Sequence, residues 1–281
     1  MKNLELEPKA GAYRQIESKF CEINLQALEI VKMWRDGDHR INSKINANGK
    51  QDVVTDADNA IQDFTTRLFD GLLPVFGEES FKNDFSITYE PLYVVIDPID
   101  GTREFARGED NWSISLCAVE NGKPVVASLF MPDKNELYTA TVGSGVYLNG
   151  IPFRNPHELP ETNKTAISPR QAVNPEFSQL ILDSGLSAVC IPALTPKICA
   201  LLRGDVDSSV YFPQLGQSAS LWDYAASVLL VQEIGGRMTS LCGNDLPFSG
   251  SDIIHKRGWL ATRSNDSHSR LLTCLGNSGQ L

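Results

Sequence analysis

The chain's 281 residues, 42% hydrophobic and 21% charged, suffice for a sizeable buried core, as one large domain or two small ones. A formal charge of −10 lacks the basic footprint of a nucleic-acid binder, and no apolar run reaches the roughly 18 residues of a membrane span. Six scattered cysteines without a Cys-x-x-Cys pair exclude metal fingers and redox motifs, and are expected as reduced, mostly buried thiols. The stretch MKNLELEPKAGAY has no apolar signal-peptide core, so the expected address is the cytoplasm.

The first predicted element is a helix over residues 13–36. Ile16, Phe20, Ile23, Ala27, Val31 and Trp34 fall at helical spacing, and Gly37 stops it. The polar stretch DGDHRINSKINANGKQD reads as exposed and mobile. In VVTDADNAIQDFTTRLFDGLLP, Thr55 caps a helix carrying Ile61, Phe64 and Leu68, which Gly71 and Pro74 end. VFGEES reads as a short strand closing on acids, and LYVVID as a buried strand ending at Asp97. Alternating runs with turn signals over residues 112–148 predict meander strands. Residues 152–169, rich in Pro and Asn, mark the best boundary. It divides an N-terminal α+β half, 1–150, from a C-terminal α/β half, 151–281. The last clear element is the helix of SLWDYAASVLLVQEIGG, ending at Gly235 and Gly236. The class is α/β, in two layered halves.

Acids stand at the ends of these elements: Asp56 and Asp58, Glu78 and Glu79, Asp97 and Asp100, and Asp223. Each has an ordinary reading. Asp58 completes a capping box with Thr55, Glu78 and Glu79 form a solvated turn, and Asp223 complements its helix dipole. Asp97 and Asp100 resist that treatment. Carboxylates at the end of a hydrophobic strand are costly to desolvate, and two together repel. Hard divalent cations with oxygen ligands remove both penalties. Pro98 permits a bend that aims the Ile99 carbonyl inward, and Gly101 and Thr102 open a helix whose free N–H groups suit an oxyanion. The four histidines, His39, His157, His255 and His268, show no metal-ligand spacing and read as surface or structural.

VVTDAD, GEES, DPIDGT and WDYAA occur in the order and rough spacing of the inositol monophosphatase superfamily of lithium-sensitive, Mg²⁺-dependent phosphatases, which the chain resembles over residues 53–223. The resemblance implies a layered αβαβα sandwich of the inositol monophosphatase and sugar phosphatase type. It implies two or three Mg²⁺ ions: one on Glu78, Asp97 and the Ile99 carbonyl, one on Asp97, Asp100 and Asp223, and a weaker third on Glu78 with Asp58 in its outer shell. Glu78 and Thr102 would orient and help deprotonate the attacking water, and the phosphate would rest on the ions and the N–H groups of Gly101 and Thr102. A homodimer is also implied.

The substrate implied is a small phosphorylated metabolite, inositol-phosphate-like. Arg103 and Glu104 stand where inositol-specific members have Thr-Asn, and GTREF resembles the G-T-K-E-F of the branch that hydrolyses 3′-phosphoadenosine 5′-phosphate. Lys197 falls near a lysine of that branch, so Arg103 and Lys197 join Gly101, Thr102, Asp100 and Asp223 as substrate-binding candidates. Before WDYAA only Gln214 and Gln217 stand in for the acid that grips inositol hydroxyls. Histidinol phosphate is a further candidate substrate. Two rivals are an aspartyl-phosphate phosphatase built on GDVDSS, residues 204–209, and a partner-binding protein without enzymatic activity.

Overall fold

The structure is a computed structural model that describes residues 6–37, 40–45, 51–80, 91–153, 159–212, 219–249, 254–255 and 258–276. Helix α1 (Leu6–Asp36) turns Ile16, Phe20, Ile23, Ala27 and Val31 inward at the predicted spacing. In the polar stretch after it, residues 40–43 are exposed, residues 38, 39 and 46–50 lie outside the described residues, and the expectation of a mobile loop is corrected where β1 (Ile41–Ile45) pairs antiparallel with β2 (Gln51–Thr55). A hairpin held by backbone bonds needs no buried face, so its polar side chains hid it. Helix α2 (Asp56–Phe69) begins at the expected Thr55 cap, with Asp58 closing the capping box.

Strand β3 (Val75–Gly77) runs parallel to β4 (Leu92–Asp100), and the short helix α3 (Thr102–Ala106) follows. An antiparallel meander of β5 (Ser113–Glu120), β6 (Lys123–Met131), β7 (Glu136–Thr141), β8 (Val146–Leu148) and β9 (Ile151–Pro152) completes a seven-stranded sheet in the order β3-β4-β5-β6-β7-β8-β9. Then come β10 (Lys164–Ile167), α4 (Pro169–Ala172), α5 (Pro175–Asp183), β11 (Ser187–Cys190), α6 (Leu194–Arg203), β12 (Ser208–Tyr211) and β13 (Ala219–Ser220). The chain closes with α7 (Leu221–Glu233), β14 (Arg237–Ser240), β15 (Ile254–His255), β16 (Trp259–Thr262) and α8 (Asn265–Gly276). A five-stranded sheet is ordered β11-β10-β12-β16-β14, and β13 pairs with β15.

These elements stack as α, β, α, β, α. Helices α1 and α2 cover one face of the seven-stranded sheet, and α6 and α7 lie between it and the five-stranded sheet. Helix α8, with Phe177, Leu180 and Ile181 of α5, covers the far side. Position in the stack explains sequence pattern. Helix α7 is buried nearly all round because a sheet lies on either side of it. Strand β4 reads as a continuous apolar run because Tyr93 and Val95 face α7 while Val94 and Ile96 face α1 and α2.

The expected burial of the thiols holds for Cys117 and Cys199 alone. Cys21 is half-buried, and Cys190, Cys242 and Cys274 are exposed, at a sheet edge, in a turn and on the outside of α8; none forms a disulfide. Among the described residues no helix is long and apolar enough to cross a membrane.

Candidate active site

The site is built on an irregularity of β4. Residues three apart on a regular strand point to opposite faces. Asp97 pairs with Ser115 and Asp100 with Ser113, so β4 carries one extra residue between them, at the step containing Pro98. Proline cannot donate to the ladder and is at home in such a bulge. The extra residue brings Asp97 and Asp100 to the same face, the one Tyr93 and Val95 share, towards α6 and α7. Thus β4 continues beyond its predicted end at Asp97 to Asp100.

Four other segments converge there. Glu78 follows β3, whose Gly77 pairs with Ile96, one residue before Asp97. Asp58, 1% exposed in the first turn of α2, accepts from Thr55 N at 2.8 Å and Thr55 Oγ1 at 2.5 Å. Thr102 Oγ1 lies 3.2 Å from Asp58 Oδ1 and 2.9 Å from the Ile99 carbonyl oxygen. Asp223, in the first turn of α7, accepts from Ser220 N at 2.5 Å. Asp97, 1% exposed, accepts from Ile99 N at 3.1 Å. Capping and clustering are therefore compatible for Asp58 and Asp223: the cap orients the carboxylate and the fold aims it.

Gly101 joins β4 to α3 with φ 92°, in the left-handed region, where a Cβ would stand 2.9 Å from both Ala193 Cβ and the Asn111 carbonyl oxygen. Only glycine fits there. Beneath it, Phe105 packs at 4.6 Å from the Trp34 ring and 4.8 Å from the Trp112 ring, holding the short helix down.

Electrostatics bind the acids into one set. Burial and then the charges of Glu78, Asp100 and Asp223 raise the Asp97 pKa well above the carboxylate range. Burial, with Glu78 and Asp100, does the same to Asp223. Burial pushes Asp58 up to about 6 against the hydrogen bonds of Thr55, and burial with Glu78 takes Glu79 to about 7. Among the described residues no three acidic, histidine or cysteine side chains are already drawn into one coordination sphere. Mutual repulsion is what marks the set. With the Ile99 carbonyl it offers only oxygen donors and a net negative charge, which fits a hard divalent cation.

Two residues that the sequence reading missed belong here. Lys44 of β1 places Nζ 2.7 Å from Glu78 Oε1 and also bonds Glu79. Burial opposes its charge, but the two glutamates override this and raise its pKa. Glu79 is thus paired rather than solvated. Thr195, fully buried in α6, donates from N at 2.5 Å and from Oγ1 at 2.6 Å to Asp100, which also takes Leu194 N at 3.2 Å. Asp100 serves as the missing cap of α6, whose N-cap Ala193 has none to offer. The signal for Lys44 was present: Asn48-Gly49 between INSKI and QDVVT is a hairpin signature. For Thr195 there was none, because its partner lies 95 residues away.

The other candidates are placed as follows. Arg103 Nη2 sits 3.0 Å from Asp52 Oδ1 in a partly exposed ion pair. Lys197 is fully buried and donates to the carbonyls of Pro192 at 3.2 Å and Ala193 at 2.6 Å, with burial lowering its pKa to about 8. Asp56 is exposed, accepting from Asn42 at 3.3 Å. His268 is structural, buried between Thr239 at 2.8 Å and Thr262 at 3.1 Å. His39, His157, Gln214 and Gln217 lie outside the described residues, as does the His255 side chain. In GDVDSS, Asp207 is held by Arg263 and by the N–H groups of Thr162 and Asn163, and Asp205 pairs with Arg203 at 2.7 Å. Both are structural anchors.

A family model described as "Inositol monophosphatase family" matches residues 13–278. The chain is 29% identical over 209 residues to "Nus factor SuhB" of Xylella fastidiosa, covering 70% of this chain and 72% of that protein. It is 30% identical over 214 residues to "Histidinol-phosphatase" of Mycobacterium tuberculosis, covering 71% and 78%. In fold it is similar to a crystal structure of "IMPase/NADP phosphatase complexed with Mg2+ and phosphate", with TM-score 0.77, 19% identity, and 94% and 95% of the two chains covered.

Proposed function

The chain belongs to the inositol monophosphatase family of phosphoric monoester hydrolases, and on that premise we propose that it is a Mg²⁺-dependent phosphomonoesterase for a small phosphorylated metabolite. The observation that carries the reading is the electrostatically coupled set of Glu78, Asp97, Asp100 and Asp223, with Asp58 beside it and Lys44 as its nearest described cation. Glu78, Asp97 and the Ile99 carbonyl would hold one ion, Asp97, Asp100 and Asp223 a second, and Glu78, with Asp58 in the outer shell, a weaker third. Such ions would supply an activated water and offset charge on the leaving oxygen.

The protein's own residues do the rest. Thr102, fixed between Asp58 and Ile99, presents a hydroxyl whose proton has two acceptors, so its oxygen is free to accept a hydrogen bond from water. Glu78, held by Lys44 at 2.7 Å, would orient the attacking water with Thr102. The N–H groups of Gly101 and Thr102, at the turn that only glycine permits, would receive the phosphate oxygens. Lys197, buried against the carbonyls of Pro192 and Ala193, supports the turn that precedes α6 and Thr195. A cytoplasmic, homodimeric enzyme goes with this reading.

A second reading, hydrolysis of 3′-phosphoadenosine 5′-phosphate or a related bisphosphate, is favoured by Arg103, a cation directly after Thr102. One experiment serves both. Phosphate release is measured from inositol 1-phosphate, 3′-phosphoadenosine 5′-phosphate, histidinol phosphate and fructose 1,6-bisphosphate, with Mg²⁺, with EDTA and with added Li⁺. Mg²⁺-dependent, Li⁺-inhibited release from at least one ester is expected. No release from any of them overturns the enzymatic reading and favours a partner-binding protein.

A further inference from the structure

The turn that opens α3 cannot hold itself. Helix α3 spans five residues, far short of the roughly 12 that a helix needs to persist alone in water, and Phe105 is its one buried residue. The Phe105 N–H donates to the Gly101 carbonyl at 2.9 Å, which ties the ring to the glycine turn. The pocket that receives Phe105 therefore sets where the N–H groups of Gly101 and Thr102 stand.

That pocket is closed by the last turn of α1. Trp34 packs its ring 4.6 Å from that of Phe105. The guanidinium carbon of Arg35 stands 5.5 Å from the centre of the Phe105 ring and 5.7 Å from that of Trp112, within cation–π range of both. Arg35 also reaches Asp133, in the turn between β6 and β7, with both terminal nitrogens: Nη1 donates to Oδ1 and Nη2 to Oδ2, each at 2.7 Å. Trp112 Nε1 donates to the same Oδ2 at 2.6 Å. Trp112 in turn has its Cα 3.3 Å from where a Cβ on Gly101 would stand. Contacts from Arg35 thus reach the glycine turn by two routes, through the Phe105 ring and through the Trp112 backbone.

The stability of the fold gives little reason for this arrangement. The Arg35 and Asp133 side chains are 35% and 22% exposed, and ion pairs open to solvent add little to folding. What a two-pronged pair between planar groups supplies is orientation. The guanidinium holds the Asp133 carboxyl below the usual carboxylate range, so the pair stays charged at neutral pH. We propose that Arg35, fixed by Asp133, is a positioning residue for the turn at Gly101 and Thr102. It braces the Phe105 and Trp112 rings from outside the site and so keeps the turn's N–H groups and the Thr102 hydroxyl aligned for phosphate and water. The proposal rests on the phosphatase reading and adds to it a residue of α1 that lies outside the carboxylate set.

The test compares wild type with Arg35→Ala, Arg35→Lys and a control, Arg203→Ala. The control breaks a partly exposed ion pair with Glu136 and Asp205 at the end of α6 opposite the one that Asp100 caps. Four quantities are measured: kcat and KM with the panel ester that wild type hydrolyses fastest, Mg²⁺ affinity by calorimetry, amide hydrogen exchange over residues 101–107, and melting temperature. Arg35→Ala should lower kcat/KM about ten- to a hundredfold, chiefly in kcat, because a misplacement of about 1 Å has that cost. Its Mg²⁺ affinity should stay within about twofold, exchange over residues 101–107 should quicken about tenfold, and the melting temperature should fall by only about 2–4 °C. Arg35→Lys keeps the charge but not the fork, so it should recover only part of kcat/KM. Should Arg35→Ala fail to fold, the same readouts on Arg35→Lys decide. Arg203→Ala should lose similar stability and keep both kcat and the exchange pattern. Unaltered exchange over residues 101–107 in Arg35→Ala overturns the brace whatever the turnover, as does an unchanged kcat/KM in an active enzyme or an equal loss of kcat in Arg203→Ala. If wild type hydrolyses no ester, the phosphatase reading falls and exchange alone decides; faster exchange in Arg35→Ala but not in Arg203→Ala then leaves the brace standing.

Discussion

Among the described residues acid is buried in two places, and they are solved in opposite ways. Asp207, just before β12 in the middle of the five-stranded sheet, has its own cation in Arg263, itself 5% exposed, and takes two backbone N–H groups at 2.8 and 2.5 Å. Every charge there has a partner, and the result ties the loop before β10 to the end of β16. In the other place Glu78, Asp97, Asp100 and Asp223 repel one another, with Lys44 shared between Glu78 and Glu79. A closed ion pair stabilises only the fold it sits in. An acidic set left undercompensated keeps affinity in reserve for something positive, and the fold bears the strain of holding it.

The largest test exchanges the two places. Asp97→Asn is expected to lower Mg²⁺-dependent kcat/KM by about a thousandfold or more, because it removes the carboxylate at the centre of the proposed ion site. Its melting temperature in EDTA should hold or rise, since one repelling charge is gone. Asp207→Ala should do the reverse, costing about 3–5 kcal/mol in urea unfolding by removing the carboxylate that neutralises the buried Arg263, with kcat retained where the protein is folded. If Asp97→Asn unfolds the protein and Asp207→Ala stops turnover, the contrast is wrong.

The next effect is a pH dependence of unusual sign. Asp58 at about 6, Glu79 at about 7, and Asp97 and Asp223, pushed well above the carboxylate range by burial and by their acidic neighbours, are all raised above their unfolded values. Between the unfolded and folded pKa values the folded state binds more protons, so their stabilising contribution is full below the unfolded values and is lost as pH rises through about 6 to 7 and beyond. His268 opposes this on the acid side, because its pKa, lowered by burial to about 4, makes the folded state the poorer proton binder between 4 and 6.5. In EDTA, stability should therefore rise by on the order of 2 kcal/mol from pH 7.5 to 5.5 as four acids outweigh one histidine. Saturating Mg²⁺ should abolish the rise. A flat profile in EDTA would mean that the acids are not strained.

Smaller effects sharpen the same contrast. Lys44→Met withdraws the lysine that serves the set and should tighten Mg²⁺ binding by roughly three- to tenfold, as measured by calorimetry, because the ion no longer competes with an ammonium for Glu78. Weaker binding would make Lys44 a supporter of the ion. Thr195→Val keeps the backbone N–H to Asp100 but loses the hydroxyl, and should cost about 1–2 kcal/mol in urea unfolding. An unchanged midpoint would show that the hydroxyl adds nothing to the cap.

What the sequence made legible follows the range of the interactions. The cap at Thr55 and the helix of residues 221–233 are local, and periodicity with cap chemistry found them. The strand of LYVVID was visible as an apolar run, but its continuation to Asp100 was not, since a bulge is a property of two strands and Pro98 only hints at it. The acids were each visible as residues at element ends. Their convergence was legible only through the resemblance of four short motifs to a known family. Lys44 went unseen because its own strand, INSKI, is mostly polar and exposed, and the Asn48-Gly49 hairpin signature beside it was passed over. Arg103 and Lys197 looked alike as lone cations in the sequence. Burial separates them, one in a partly exposed ion pair and the other sealed against two carbonyls.

The decisive measurement is a calorimetric titration of Mg²⁺ into the metal-stripped protein near pH 7. At least about two ions per chain should bind, with proton release from the raised carboxyls, and Asp97→Asn should lose most of the heat and of the proton release. A wild-type protein that takes up no Mg²⁺, or an Asp97→Asn variant that takes it up unchanged, would contradict the claim that these acids are gathered to hold a cation.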